Sequence, residues 1–107
     1  MTGQYAGTYN FMPREQLTNF KYVKPVSDIW SIGATFYNML TGALPHDFPR
    51  GKDQADIVLH DDIVPIRKRA PSLSRKLAEA IDKSVAKDAK DRCQTAQELR
   101  SAIEGAL

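Results

Sequence analysis

Cysteine, histidine and tryptophan are scarce in this 107-residue chain: one Cys, two His and one Trp. A lone Cys93 closes no internal disulfide, and His46 and His60 with that cysteine give no zinc-ligand spacing. No apolar run is long enough to span a bilayer, and Met1-Thr2-Gly3 opens no signal peptide, so the expected setting is the reducing cytoplasm, with no membrane partner. A formal charge of +2 is too small a surplus to imply nucleic acid. The one basic cluster, Arg67-Lys68-Arg69, lies between Pro65 and Pro71 and reads as a solvated loop. A basic helical nucleic-acid binder using Arg67, Lys68, Arg69, Arg75 and Lys76 is the weakest of three functional readings.

Hydrophobic residues make up 42% and charged residues 26% of the chain, the balance of an ordinary folded protein with a modest core. That core is organised around the stretch from Ser27 to Gly42. Val26, Ile29, Trp30, Ile32, Ala34, Phe36, Tyr37, Met39 and Leu40 cover most of a helix's circumference, leaving only Asp28, Ser31, Thr35 and Asn38 as a polar line. The pattern predicts a buried helix over 26–41, capped by Ser27 or Asp28 and stopped by Gly42.

Before it, residues 1–10 show no apolar period, and Pro13 to Leu17 suggest a short helix with proline in its first turn. After it, prolines and Gly51 break up the stretch 43–51, and a short helix is expected over 52–60. Leu77, Ala78, Ile81 and Val85 give the apolar stripe of a helix over 73–86, capped by Ser72 or Ser74, with Asp82 on the side facing water. Thr95 and Glu98 form a capping box for a last helix over 95–106. Nothing alternates like a sheet. The expected fold is all-α, four to five helices around the buried central one.

A search for chemistry finds no Gly-rich phosphate loop, no metal cluster and no nucleophile beside a base. Asp47-Phe48 is followed by Pro49 rather than Gly, and His60-Asp61-Asp62 lacks the Arg and the later Asn of a phosphoryl-transfer loop. His46 and His60 read as loop residues rather than acid–base groups, and Cys93 as a small half-buried side chain.

Four runs nevertheless stand in a telling order: Gly7-Thr8, Phe11-Met12-Pro13-Arg14-Glu15-Gln16, Ser27-Asp28-Ile29-Trp30-Ser31-Ile32-Gly33, and Lys87-Asp88 followed by Arg92. Together they resemble the second half of the large lobe of a eukaryotic-type Ser/Thr protein kinase, closest to the bacterial branch, and the likeness covers essentially the whole chain. It implies a partial kinase domain over 1–107, with the end of the activation segment at 1–18. By that resemblance Gly7 and Thr8 belong to the substrate loop, and Thr2 and Thr8 are candidate phosphosites. Glu15 and Arg92 would form a buried structural ion pair. Asp28 would cap the backbone of the catalytic loop, Trp30 would pack behind the helix at Pro13, and Gly33 would admit neighbouring backbone. Ala89 stands where the family usually has proline, and Pro13-Arg14 shifts a second proline by one place.

The groups that hold ATP and magnesium, and the catalytic Asp and Asn, would all lie before Met1. The expectation is therefore no cofactor in this chain, ATP and magnesium in the intact parent, and no activity of the 107 residues alone. Partners would be a protein substrate, the missing half of the kinase, or a second copy in a homodimer. The alternative, from a different class, is a free-standing kinase-derived helical module for protein interaction.

Overall fold

The computed structural model describes residues 10–15 and 25–106. Among the described residues five α-helices can be bounded: α1 (Pro25–Thr41), α2 (Gln54–His60), α3 (Ile66–Arg69), α4 (Arg75–Ser84) and α5 (Ala96–Ala106), with a 3-10 turn at Ala89–Asp91 before the last. Among the described residues there is no strand, so the all-α expectation holds. No described helix is long and apolar enough to cross a membrane.

Helix ends follow local chemistry. Gly42, at φ +73°, stops α1 in the left-handed conformation that glycine adopts without penalty, and its N–H donates back to Asn38 O at 2.8 Å. Asp53 caps α2 by accepting from Ala55 N, and Ser74 caps α4 by accepting from Leu77 N at 3.2 Å. Thr95 Oγ1 accepts from Glu98 N at 3.1 Å, but the Glu98 carboxylate returns to Gln94 N rather than to Thr95 N. The capping box is thus closed one residue early.

Two expectations fail. Ser27 and Asp28 do not cap α1, because the helix already begins at Pro25, whose fixed φ suits a first turn. Residues 66–69 form a helical turn rather than a loop, and the cause is tertiary: Asp82, on α4, accepts a hydrogen bond from Ile66 N at 2.9 Å. Asp82 is accordingly half-buried instead of solvated. Burial pushes its carboxyl up, and the hydrogen bond from Ile66 opposes that rise only in part.

Helix α1 supplies each apolar cluster. Tyr37 packs with Ile66, Ala78 and Ile81; Ile29 packs with Cys93 and Leu99; Trp30 and Ala34 pack with Val85. Cys93, expected half-buried, is buried fully at the base of the second cluster. Trp30 also donates through Nε1 to Val85 O at 3.0 Å, so its one polar atom is satisfied inside the core. His46 stacks on the Trp30 ring at 5.9 Å between centroids and is buried with it, which pushes its imidazole below the usual histidine range.

The other side of α1 is bare. Asp28, Ile32, Thr35 and Met39 recur at the four- and three-residue spacing of one helix face, and all four are exposed, as is Leu40 beside them. The expected burial of this helix holds for the side of Ile29, Trp30, Ala34 and Tyr37, while Ile32, Met39 and Leu40 leave apolar surface uncovered.

Gly33 sits where α1 meets the last turn of α4. A Cβ there would fall on Ser84 Oγ, 2.8 Å from Ser84 Cβ and 3.1 Å from Val85 Cγ1. The close neighbours are therefore the side chains of Ser84 and Val85, where the resemblance implied backbone. Gly33→Ala is expected to destabilise by about 1–3 kcal/mol through overpacking. Adding Ser84→Gly to it should raise the melting temperature above that of the single variant; a Gly33→Ala protein that melts like the parent would refute the close fit.

Candidate functional site

The densest polar constellation among the described residues joins Glu15 to the loop between α4 and α5. Arg92 follows the 3-10 turn Ala89–Asp91, and its side chain turns back to two carbonyls of the stretch between α4 and that turn. Nε donates to Ala86 O at 2.8 Å and Nη2 to Lys87 O at 3.2 Å. The remaining edge of the guanidinium meets Glu15 as a fork, Nη1 to Oε2 at 2.5 Å and Nη2 to Oε1 at 2.9 Å. Arg92's side chain is 0% exposed and that of Glu15 25%, so the cation has left water entirely and the anion largely.

Ser27, from the first turn of α1, donates its hydroxyl to Glu15 Oε2 at 2.7 Å. Burial pushes the Glu15 carboxyl up, but the hydrogen bonds from Arg92 and Ser27 outweigh it, and the net position lies below the ordinary carboxylate range. An exposed bridge between Arg14 and Asp88 at 3.1 Å lies alongside. Five residues from three parts of the chain thus meet in one clamp. Among the described residues no cluster of His, Cys, Asp and Glu could hold a metal.

The structure brings together Glu15 and Arg92, separated by 77 positions, and seats Trp30 and Gly33 in the α1 core face. Asp28 stands apart, exposed at the start of the bare face. Thr2, Gly7 and Thr8 lie outside the described residues. Ser27 was read as a helix cap and is instead the third member of the clamp; only its place one turn into a Pro-initiated helix hinted at it.

A second constellation escaped the sequence reading. Arg69, assigned to a solvated basic loop, donates to Tyr37 Oη at 2.9 Å, to Leu44 O at 3.0 Å and to Asp47 Oδ1 at 2.8 Å. Burial pushes the Tyr37 hydroxyl up, so it stays protonated and donates to Val64 O at 2.6 Å. Between α1 and α5 runs an apolar groove of about 280 Å³ lined by Ile32, Phe36, Leu99 and Ile103, with Arg100 and Glu104 ion-paired on its rim.

The family model of the protein kinase domain matches residues 2–102, and the chain belongs to that family. It is 33% identical over 106 residues to the serine/threonine-protein kinase pkn2 of Myxococcus xanthus, with 97% of this chain and 13% of that protein covered. It is 31% identical over 100 residues to serine/threonine-protein kinase PknA of Nostoc, covering 92% of this chain and 16% of the relative. The serine/threonine-protein kinase TOUSLED of Arabidopsis thaliana is 30% identical over 99 residues, 86% of this chain and 14% of the relative. The chain therefore spans only 13% to 16% of the length of these curated relatives.

Removing Glu15 would take the compensating carboxylate from a buried guanidinium, and removing Arg92 would take the cationic donor from a largely buried carboxylate and from two carbonyls. Glu15→Ala and Arg92→Ala are each expected to cost about 3–5 kcal/mol, with a double variant costing clearly less than the sum. Because the folded carboxyl of Glu15 is held below its unfolded value, its contribution is fully present above the unfolded pKa and is lost as pH falls through the folded one. Asp82, raised by burial, acts with the opposite sign in the same acid range. The stability difference between the parent and Glu15→Gln, followed by denaturant melts from neutral to acid pH, should therefore shrink on acidification; a constant difference would refute the linkage.

Proposed function

We propose that this chain is the helical lower part of the large lobe of a Ser/Thr protein kinase, from the end of the activation segment to the last helix. In the intact parent, ATP-dependent phosphoryl transfer to protein Ser or Thr would run on groups this sequence does not contain, and the chain itself supports the site and presents substrate. What carries this reading is the bare side of α1: Ile32 at 38%, Leu40 at 41% and Met39 at 73% exposure, continuous with the groove beside α5. Apolar surface of this kind on the element that supplies every core cluster calls for a covering partner. On this reading the partner is the catalytic half of a kinase domain, which the match to the protein kinase domain family supports.

Roles follow on that assignment. Asp28, exposed at the N-terminal end of the bare face, accepts hydrogen bonds from the backbone of the catalytic loop. Trp30 and Gly33 hold α1 against α4 and so fix where Asp28 stands. Glu15 and Arg92 tie the end of the activation segment to the last helices. Gly7 and Thr8 belong to the loop that receives the substrate, and Thr2 and Thr8 are candidates for phosphorylation. ATP and magnesium are held by the other half, and the setting is cytoplasmic.

The same bare face supports a second reading, a free-standing kinase-derived module that pairs with a copy of itself through Ile32, Met39 and Leu40. Light scattering of the pure chain at high micromolar concentration tests the self-pairing, which the uncovered apolar face favours under either reading: a dimer that Met39→Glu dissolves is expected, and a monodisperse monomer would remove it.

A chimera tests the kinase reading. The matching 106 residues of the Myxococcus kinase are replaced by this chain. The chimera should phosphorylate a protein substrate with magnesium and ATP, the isolated chain should not, and Asp28→Ala in the chimera should lower kcat by about tenfold through loss of a charge-assisted hydrogen bond. A folded but inactive chimera, beside an active parent, would sink the assignment.

A further inference from the structure

Arg69 occupies the single turn of α3, yet its side chain is only 21% exposed and reaches back across the end of α1. Its donors are divided among a phenol on α1, a backbone carbonyl of the following loop and a carboxylate of the same loop, Tyr37, Leu44 and Asp47. The Tyr37 hydroxyl extends the chain to Val64 O, just ahead of α3. Three separate stretches of backbone, the end of α1, the loop 43–53 and the approach to α3, are thereby referred to one planar group.

The loop is also held by Val64 N donating to Pro45 O at 2.8 Å, by the His46 ring against Asp61 O at 3.3 Å and stacked on Trp30, and at its start by Ala43, which donates to Thr41 Oγ1 and accepts from Asn38 Nδ2. Beyond Phe48 it runs exposed through Pro49, Arg50, Gly51, Lys52 and Asp53. The Asp47 side chain is 71% exposed, so the ion pair itself contributes little. What distinguishes the site is the fixed fork of the guanidinium, which can face Leu44 O, Asp47 and Tyr37 Oη at once where an ammonium on a flexible stem cannot.

We propose that Arg69 is a positioning residue for the loop 43–53, holding it in one conformation so that its exposed stretch meets a protein substrate in a constant geometry. This rests on the kinase reading for the substrate, while the anchoring of the loop stands on the contacts of this chain alone.

Two measurements test the two parts separately. Hydrogen exchange on the 107-residue chain, read by mass spectrometry, should show amides of the loop accelerated about tenfold in Arg69→Gln, with α4 and α5 unchanged and Arg69→Lys intermediate. In the kinase chimera, Arg69→Gln should raise KM for the protein substrate about threefold or more while kcat and KM for ATP hold. Unaltered exchange in the loop overturns the anchor. Exchange that rises throughout α4 and α5, or a kcat that falls with it, overturns the positioning role in favour of general loosening. An unmodified chimera that is folded but inactive overturns the kinase reading, and with it the substrate half of the proposal. The loop anchor is then upheld or overturned by the exchange result alone.

Discussion

A guanidinium with no exposure to water is the constraint from which most of this structure follows. Desolvating Arg92 costs several kcal/mol, and the charge cannot be shed as a lysine or histidine would shed it. The fold must therefore supply acceptors on every edge. The stretch after α4, ahead of the 3-10 turn, offers Ala86 O and Lys87 O, and Glu15, 77 positions away, delivers the compensating charge as a fork. Glu15 in turn is steadied by Ser27, which commits the first turn of α1 to the same point. Three distant pieces of chain have their relative positions set by one side chain.

From that point α1 carries order outward along its buried side. Ile29 lies against Cys93 and Leu99, just past the clamp; Trp30 and Ala34 meet Val85 at the end of α4; Tyr37 meets Ile66 and Ile81 farther on. Polar atoms along this route each have an assigned partner, Trp30 Nε1 with Val85 O and Tyr37 Oη with Val64 O and Arg69. Core packing and buried hydrogen bonding thus run along the same helix from the Glu15–Arg92 pair to the Arg69 cluster. Gly33, between the two, is where α1 comes close to the end of α4, with Ser84 and Val85 filling the space a Cβ would take.

Periodicity made the long elements legible, since an apolar stripe at helical spacing and a glycine or Ser/Thr at each end depend only on near neighbours. α1, α4 and α5 came within two residues of their observed bounds at each end for that reason. The Glu15–Arg92 pair was legible through family resemblance, and physical reasoning added only that such a pair would be costly to break. What stayed hidden was long-range and polar. Asp82 capping α3, Ser27 joining the clamp and Arg69 reaching the loop after α1 each need a contact 12 or more positions distant, and nothing in their immediate neighbours distinguishes them from solvated residues. His46 reads correctly as a loop residue, but its stacking on Trp30 is a contact 16 positions distant that the sequence does not show.

The bare side of α1 sets the energetic terms on which this chain stands alone. Fully burying one large apolar side chain is worth about 1.5–3 kcal/mol, and Met39, Leu40 and Ile32 all fall short of that, Met39 by most of it. Against a typical domain stability of about 5–15 kcal/mol, a few kcal/mol forgone on the central helix is a large fraction. Any partner that covers this side binds the folded state and not the unfolded one, and so raises the stability of the whole fold by mass action. On the proposed reading the catalytic half of the kinase and this half are then thermodynamically coupled through α1. The helix that fixes Asp28 toward the catalytic loop is also the helix whose folding that loop's own half would stabilise, and neither arrangement would be fully populated without the other.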